Sequence, residues 1–257
     1  MAPRILRLRR VLVTGGARGI GAAIVHELVD QGYAVDFTYH ASAEPARELE
    51  QDIKALQPQA ILRRRACNLA DPDAVELLAH DLEQVEGGYY GFVHNAGTSY
   101  DSRAAAVDLA AAEEVMQVNF WSMVRLLQAV VGGMTARGEG RIILIGALTA
   151  LRGTRGNAPY AASKAAMLGY MRSIVEEVAR AGVTANYIAP GFIDTDMLEP
   201  YAAQREKLES EIPAGRYGRS DEVAAAVGFL LSERAGYING ATLTIDGGLT
   251  ACIGAEP

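Results

Sequence analysis

The chain has little cysteine, no surplus of positive charge and no long hydrophobic run. Its two cysteines, Cys67 and Cys252, show neither metal-ligand spacing nor the density of a disulfide scaffold, so both read as packing residues and no metal site is expected. Lys and Arg number 24 against 31 Asp and Glu, and the resulting net charge of −7 argues against a nucleic-acid surface, which needs basic residues gathered on one face. A basic start, Arg4, Arg7, Arg9 and Arg10, runs into the apolar segment Val11 to Val13, which is too short for a signal-peptide core or a membrane span. The expectation is a cytoplasmic protein that engages neither membrane nor nucleic acid. Internal repeats, low-complexity tracts and composition shifts are also missing, so residues 1–257 read as one domain, and 50% hydrophobic content is enough for a sizeable core.

What is present is alternation. Short β-branched runs at 11–14, 34–39, 60–67, 91–94, 141–145, 183–188 and 241–245 are separated by longer segments of helical period. Runs such as Ile142-Ile143-Leu144-Ile145 are apolar at every position, as in strands buried on both faces. The expected class is α/β, a three-layer doubly wound parallel sheet. Ile20, Ala23, Ile24 and Leu28 recur at helical spacing and Gly32 then ends that helix. Asp71 with Pro72 starts another helix, Ser220 with Asp221 and Glu222 a later one, and the Ala-rich stretch from Ala104 to Ala112 also reads as helix.

Directly after the first strand comes Thr14-Gly15-Gly16-Ala17-Arg18-Gly19-Ile20-Gly21, opening a helix. Glycines there let the backbone approach a pyrophosphate, which the free amides of the helix N-terminus then stabilise. Further along stand Asn95-Ala96-Gly97, Asn119, Tyr160-x-x-x-Lys164 and Pro190-Gly191-x-x-x-Thr195, each next to a strand or in the following helix. Their order and spacing resemble the short-chain dehydrogenase/reductase family, with its Rossmann-type fold, over residues 9–250. Ile212-Pro213-x-Gly215-Arg216-Tyr217-Gly218-Arg219 and Tyr237-Ile238-x-Gly240 are most similar to the 3-oxoacyl carrier-protein reductases of that family.

The resemblance implies a nicotinamide nucleotide lying on Gly15, Arg18, Gly19, Ile20, Gly21, Asn68, Leu69, Asn95, Ala96, Gly97, Pro190, Gly191 and Ile193, with Thr195 holding the carboxamide. An NAD enzyme of this fold places an acidic residue at the end of the second strand. That position is Tyr39; Asp36 lies inside the strand and reads as a sheet residue. Arg18, with His40, would suit a 2′-phosphate, so the expected cofactor is NADPH/NADP+.

Carbonyl reduction needs a proton donor where negative charge develops on oxygen. Tyr160 is the expected acid, and Lys164, one turn on, stabilises its phenolate and binds the nicotinamide ribose. Asn119 resembles the family's asparagine that orders a water between that lysine and solvent. The family usually carries a serine thirteen residues before the tyrosine; here that position is Ala147, which cannot donate. Losing one such donor costs about a hundred- to a thousandfold in rate. Three readings stay open: an engineered serine-to-alanine change; a native replacement by Thr149, taken to share a strand face with residue 147, or by Asn157; or a noncatalytic nucleotide-binding subunit.

The segment 192–215, with Phe192, Met197, Leu198 and Tyr201, suits a lid over the substrate. The resemblance implies an acyl carrier protein bearing a 3-oxoacyl chain, docked on basic residues such as Arg137, Arg141 and Arg180. It also implies a homotetramer paired through helices near 108–136 and 158–181 and the last strand, compatible with an apolar stripe of Val115, Val118, Val124, Leu127 and Val131. A reductase or dehydrogenase of another small ketone or alcohol is the alternative enzyme reading.

Overall fold

The computed structural model describes residues 8–251; Arg4, Arg7 and Cys252 lie outside them. Seven strands, β1 (Arg10–Thr14), β2 (Ala34–Tyr39), β3 (Leu62–Ala66), β4 (Gly91–His94), β5 (Gly140–Ile145), β6 (Val183–Pro190) and β7 (Thr242–Ile245), form one sheet in the order β3-β2-β1-β4-β5-β6-β7. Every pairing is parallel. The chain runs outward from β1 to β3 and returns to place β4 on the other side of β1, so the order reverses between β1 and β4. A crevice at the carboxyl ends of these strands is where such sheets bind ligands.

Alternate strand residues feed two separate cores, which explains the unbroken apolar runs. Leu12, Phe92, Ile142, Leu144, Ala185 and Tyr187 pack beneath α3 (Pro72–Glu83), α5 (Ser122–Arg137) and α6 (Ala158–Val178). Val11, Val13, Val35, Phe37, Ile143 and Ile188 pack on the other face, against α1 (Gly19–Asp30), α2 (Ala43–Leu56) and α8 (Ser220–Leu231), which follows the short α7 (Arg205–Glu211). Of the expected α1 stripe, Ile24 and Leu28 are fully buried, and Gly32 follows the helix at φ 83°. Asp71 caps α3 by accepting from the amides of Asp73 and Ala74. Cys67 is buried, as a packing residue should be, and burial pushes its thiol up to about 11.

Two local expectations need correction. The stretch Ala104–Ala112 is not one helix: a single 3-10 turn (Ala104–Ala106) gives way to extended backbone at Val107. The helix α4 (Leu109–Met116) starts afresh because Asp108 caps it, accepting from the Ala110 amide at 2.9 Å. The long helix that follows is also interrupted, by a π turn at Gln117–Trp121 between α4 and α5.

Asp36 behaves as a sheet residue. It is fully buried, with its carboxylate 2.5 Å from Arg10 and 2.8 Å from Arg65, and it accepts from the Tyr89 hydroxyl at 2.8 Å. A buried carboxylate with three donors is committed to its partners and is not offered to a ribose.

Candidate active site

The loop between β1 and α1 is pinned from both sides. Thr38 in β2 takes the Gly15 amide on its hydroxyl at 3.0 Å and the Gly16 amide on its carbonyl at 2.9 Å. Just after β4, Asn95 donates its Nδ2 to the carbonyls of Thr14 and Gly15 at 3.2 and 3.0 Å. Gly15 is left-handed at φ 66°, and a Cβ there would stand 2.8 Å from the Ala96 backbone; one on Gly21 would stand 2.0 Å from the Gly15 carbonyl oxygen. Arg18, at the N-cap of α1, gives no side-chain cap, so the first amides at Gly19, Ile20 and Gly21 have no side-chain acceptor. A dinucleotide pyrophosphate fits this cradle of bare glycines and open amides.

Around it, Tyr39 closes β2 half-buried and His40 follows exposed, so no carboxylate ends that strand. Arg18 is exposed and pairs with Asp196 at 3.3 Å. Asn68 is already in use on one side, its Oδ1 accepting from the Ala70 amide at 3.1 Å, while Leu69 behind it is buried.

One buried histidine went unnoticed in the sequence. His94, the last residue of β4, stands with Nδ1 3.0 Å from Thr14 Oγ1 and Nε2 3.1 Å from the Asn119 carbonyl. Thr14 Oγ1 already accepts from the amides of Asn95 and Ala96, at 3.1 and 3.0 Å, so its own proton goes to His94 Nδ1. The Nε2–H then donates to Asn119. Burial holds this ring neutral, with its pKa lowered to about 3 by desolvation and, next, by the Lys164 charge. His94 thus ties the root of the phosphate loop to the π turn, whose ladder is displaced where a side chain captures a helix carbonyl. Its only sequence signal was its place immediately before Asn95-Ala96-Gly97.

The Asn119 side chain is fully buried and clamps the loop after β4. It accepts from the Thr98 amide at 2.8 Å and donates to the Thr98 carbonyl and to Ser163 Oγ, both at 2.9 Å. A Cβ on Gly97 would stand 3.2 Å from Lys164 Nζ and 3.3 Å from Asn119 Oδ1, so this glycine lets the lysine through.

Tyr160 and Lys164 lie in the first two turns of α6. Lys164 is 3% exposed, donates to the Ile145 carbonyl at 2.9 Å, and stands 5.7 Å from the centre of the Tyr160 ring. Desolvation lowers the ammonium to about 8 and raises the Tyr160 phenol to about 12. Tyr187, a second residue hidden in an apolar strand, fixes this region: its hydroxyl donates to the Lys164 carbonyl and accepts from the Ala147 amide, each at 3.1 Å. Its ring leaves no room at Gly146, where a Cβ would lie 1.7 Å from a ring carbon. Gly146→Ala is therefore expected to cost about 3 kcal/mol or more, as an overpacked rigid core does, measured by urea unfolding.

Ala147 is buried and extended, but β5 ends at Ile145 and a 3-10 turn (Leu148–Ala150) follows. Thr149 therefore does not share a strand face with Ala147; it sits in a turn packed on α6. Its Oγ1 is buried without a partner. Asn157 precedes α6 and donates Nδ2 to Asp101 at 2.7 Å. In the segment expected to form a lid, Ile193 bridges to Gly218, Phe192 stacks on Tyr217 at 5.7 Å, and Thr195 rests its methyl 3.3 Å from where a Gly19 Cβ would be. Pro190 ends β6, and Gly191 admits Asp246, 2.8 Å from its Cβ position. The Tyr201 hydroxyl donates to Asp101, joining lid to mouth.

The three arginines considered for carrier docking stand elsewhere. Arg137 ends α5, Arg180 follows α6, and Arg141 enters β5, all near the amino ends of strands and away from the crevice. Arg141 is buried and donates to the carbonyls of Gly140 and Gly182, so it offers no docking charge.

A sequence-family profile described as "Enoyl-(Acyl carrier protein) reductase" matches residues 15–250. The chain is 39% identical, over 93% of its length and 96% of the relative's, to the 3-oxoacyl-[acyl-carrier-protein] reductase FabG of Pseudomonas aeruginosa. It is 37% identical to the FabG of Vibrio cholerae with the same coverage. Among solved structures, a blue fluorescent protein from a metagenomic library, in complex with NADPH, superposes with a TM-score of 0.87 at 35% identity, covering 94% of this chain and 97% of that one. The chain belongs to the short-chain dehydrogenase/reductase family.

Proposed function

We propose that this protein is an NADPH-dependent reductase of 3-oxoacyl thioesters carried on an acyl carrier protein, converting them to the 3-hydroxyacyl form. The observation that carries the reading is the pairing of a bare-glycine phosphate cradle with Tyr160 and a buried Lys164 at the adjoining carboxyl ends of β4 and β5. The names of the 3-oxoacyl reductases it resembles support the substrate class, and the absence of a carboxylate after Tyr39, with Arg18 nearby in the loop, supports the phosphorylated cofactor.

NADPH, when bound, supplies a hydride to the carbonyl carbon. Tyr160 holds its proton at Oη, toward the oxygen where charge develops, and releases it there. Lys164 stabilises the resulting phenolate and reaches the nicotinamide ribose through the gap at Gly97. Asn119 and Ser163 brace α6 against the loop after β4, and Asn119 stands where a water leading from Lys164 to solvent would be ordered. Gly15, Gly19, Ile20 and Gly21 would hold the pyrophosphate, Asn68 and Leu69 the adenine, Asn95, Ala96 and Gly97 the ribose side, and Pro190, Gly191, Ile193 and Thr195 the carboxamide. Arg18, Tyr39 and His40 would hold the 2′-phosphate, and Phe192 would lie over the acyl chain.

The protein acts in the cytoplasm as a homotetramer. Support comes from the open edge of β7, where Leu243 is exposed, and from Leu109 and Trp121 exposed on the α4–α5 helix; among the described residues no helix is long and apolar enough to cross a membrane. Of the three arginines weighed for carrier docking, Arg180 is exposed and remains available for it.

The test is NADPH oxidation with a 3-oxoacyl thioester, against NADH as cofactor and a 2-enoyl thioester as substrate. Turnover confined to NADPH and the 3-oxo compound is expected. Exclusive use of NADH refutes the reading, as does NADPH binding with no carbonyl substrate reduced by either the chain as it stands or its Ala147→Ser variant.

A further inference from the structure

The two side chains that could stand in for a serine at 147 carry buried polar atoms without partners, Thr149 Oγ1 and Asn157 Oδ1, and they offer opposite chemistry. Asp101 decides the orientation of Asn157. A carboxylate only accepts, so the group 2.7 Å from Asp101 Oδ1 must be the amide Nδ2–H, and the carbonyl Oδ1 is what remains facing the interior. Asp101 is itself held from the lid by the Tyr201 hydroxyl. Turned this way, Asn157 offers a lone pair, which repels negative charge growing on a carbonyl oxygen. The Thr149 hydroxyl keeps an uncommitted proton, in the turn that leaves Ala147 and packs on the helix opened by Tyr160.

We infer that Thr149 donates the second hydrogen bond to the reacting carbonyl oxygen, alongside Tyr160, and that Asn157, oriented by Asp101, is an acceptor that takes no part in stabilising that charge. The inference rests on the reductase reading above. In the step, the cofactor's hydride forms the new C–H bond at C3, the carbonyl π pair moves to oxygen, and the Tyr160 proton closes the hydroxyl. Thr149 retains its proton throughout, which makes it a catalytic residue by charge stabilisation and not by acid–base exchange.

The experiment compares the unsubstituted chain with Thr149→Val, Thr149→Ser, Asn157→Ala, Ala147→Ser and the double variant Thr149→Val/Ala147→Ser, with NADPH affinity measured for each to establish folding. Thr149→Val is expected to lower kcat about a hundredfold or more with NADPH affinity kept, while Thr149→Ser stays within about tenfold of the parent. In the double variant, a serine hydroxyl at 147 should restore most of that loss, a rescue that a merely structural threonine would not permit. A Thr149→Val rate within about fivefold of the parent overturns the inference, as does a hundredfold loss in Asn157→Ala alone. If the parent is silent and Ala147→Ser alone restores turnover, Thr149 does not donate and the reductase reading stands; if both are silent with NADPH bound, the reading itself fails.

Discussion

Tyr160→Phe is expected to lower kcat for thioester reduction by about a thousandfold while leaving NADPH affinity within about twofold, because a positioned general acid contributes roughly 10²–10⁴ and the ring itself stays in place. The phenol is raised to about 12 by burial, so at neutral pH it is fully protonated, as the reductive direction requires. Lys164 sets the alkaline limit. Its ammonium is lowered to about 8, and above that pH the charge that would support a developing phenolate is lost. At limiting NADPH, kcat/KM reports groups of the ligand-free protein, so it should fall above about pH 8 in the parent. The same fall should persist in Lys164→Arg only at much higher pH, since a guanidinium stays charged. A Tyr160→Phe variant with parental kcat would remove this tyrosine from the chemistry.

The second large effect concerns acid. His94 is ordinarily protonated near 6.5 and is held near 3 in the fold. Between those values the unfolded chain takes up a proton that the folded chain refuses, so stability falls as pH drops from 6.5 toward 3 and levels off below. By pH 4 this one ring accounts for a loss of about 3 kcal/mol. His94→Asn removes the titration, at the expense of about 1–3 kcal/mol at neutral pH for the broken contacts with Thr14 and Asn119. Urea unfolding of both proteins at pH 7 and pH 4 separates the terms: carboxylate contributions are common to the pair, and the difference in pH slope belongs to His94. Equal slopes would mean that the histidine is charged, or solvated, in the folded state.

The central strands β1, β4 and β5 were legible because each sends alternate residues into two cores and so shows a mainly apolar run; β2 and β4 begin and end where the sequence places them. The phosphate loop, Tyr160 and Lys164 were legible for a related reason, since local backbone geometry and helical spacing carry them. What escaped depends on contacts between distant segments. His94 and Tyr187 look like ordinary strand residues until their partners, 25 and 40 positions away, are in place. The assumption that Thr149 continues an extended strand failed where β5 stops at Ile145, a termination with no proline or glycine pair to announce it. Arg141 looked like a surface charge, yet parallel pairing on both sides of β5 buries even the first residues of that strand. The break at Asp108 within the Ala-rich run shows a single capping carboxylate overriding several residues of favourable propensity.

The π turn has an optical consequence. It holds the chain's single tryptophan, Trp121, two residues from Asn119, 55% exposed and edge-on to Phe120 at 4.8 Å. With no other indole to mask it, emission comes from one known place, two residues from the Asn119 clamp. The chain thus carries a built-in probe: a titration with NADPH, read without any label, tests whether cofactor arrival is felt at the turn beside Asn119.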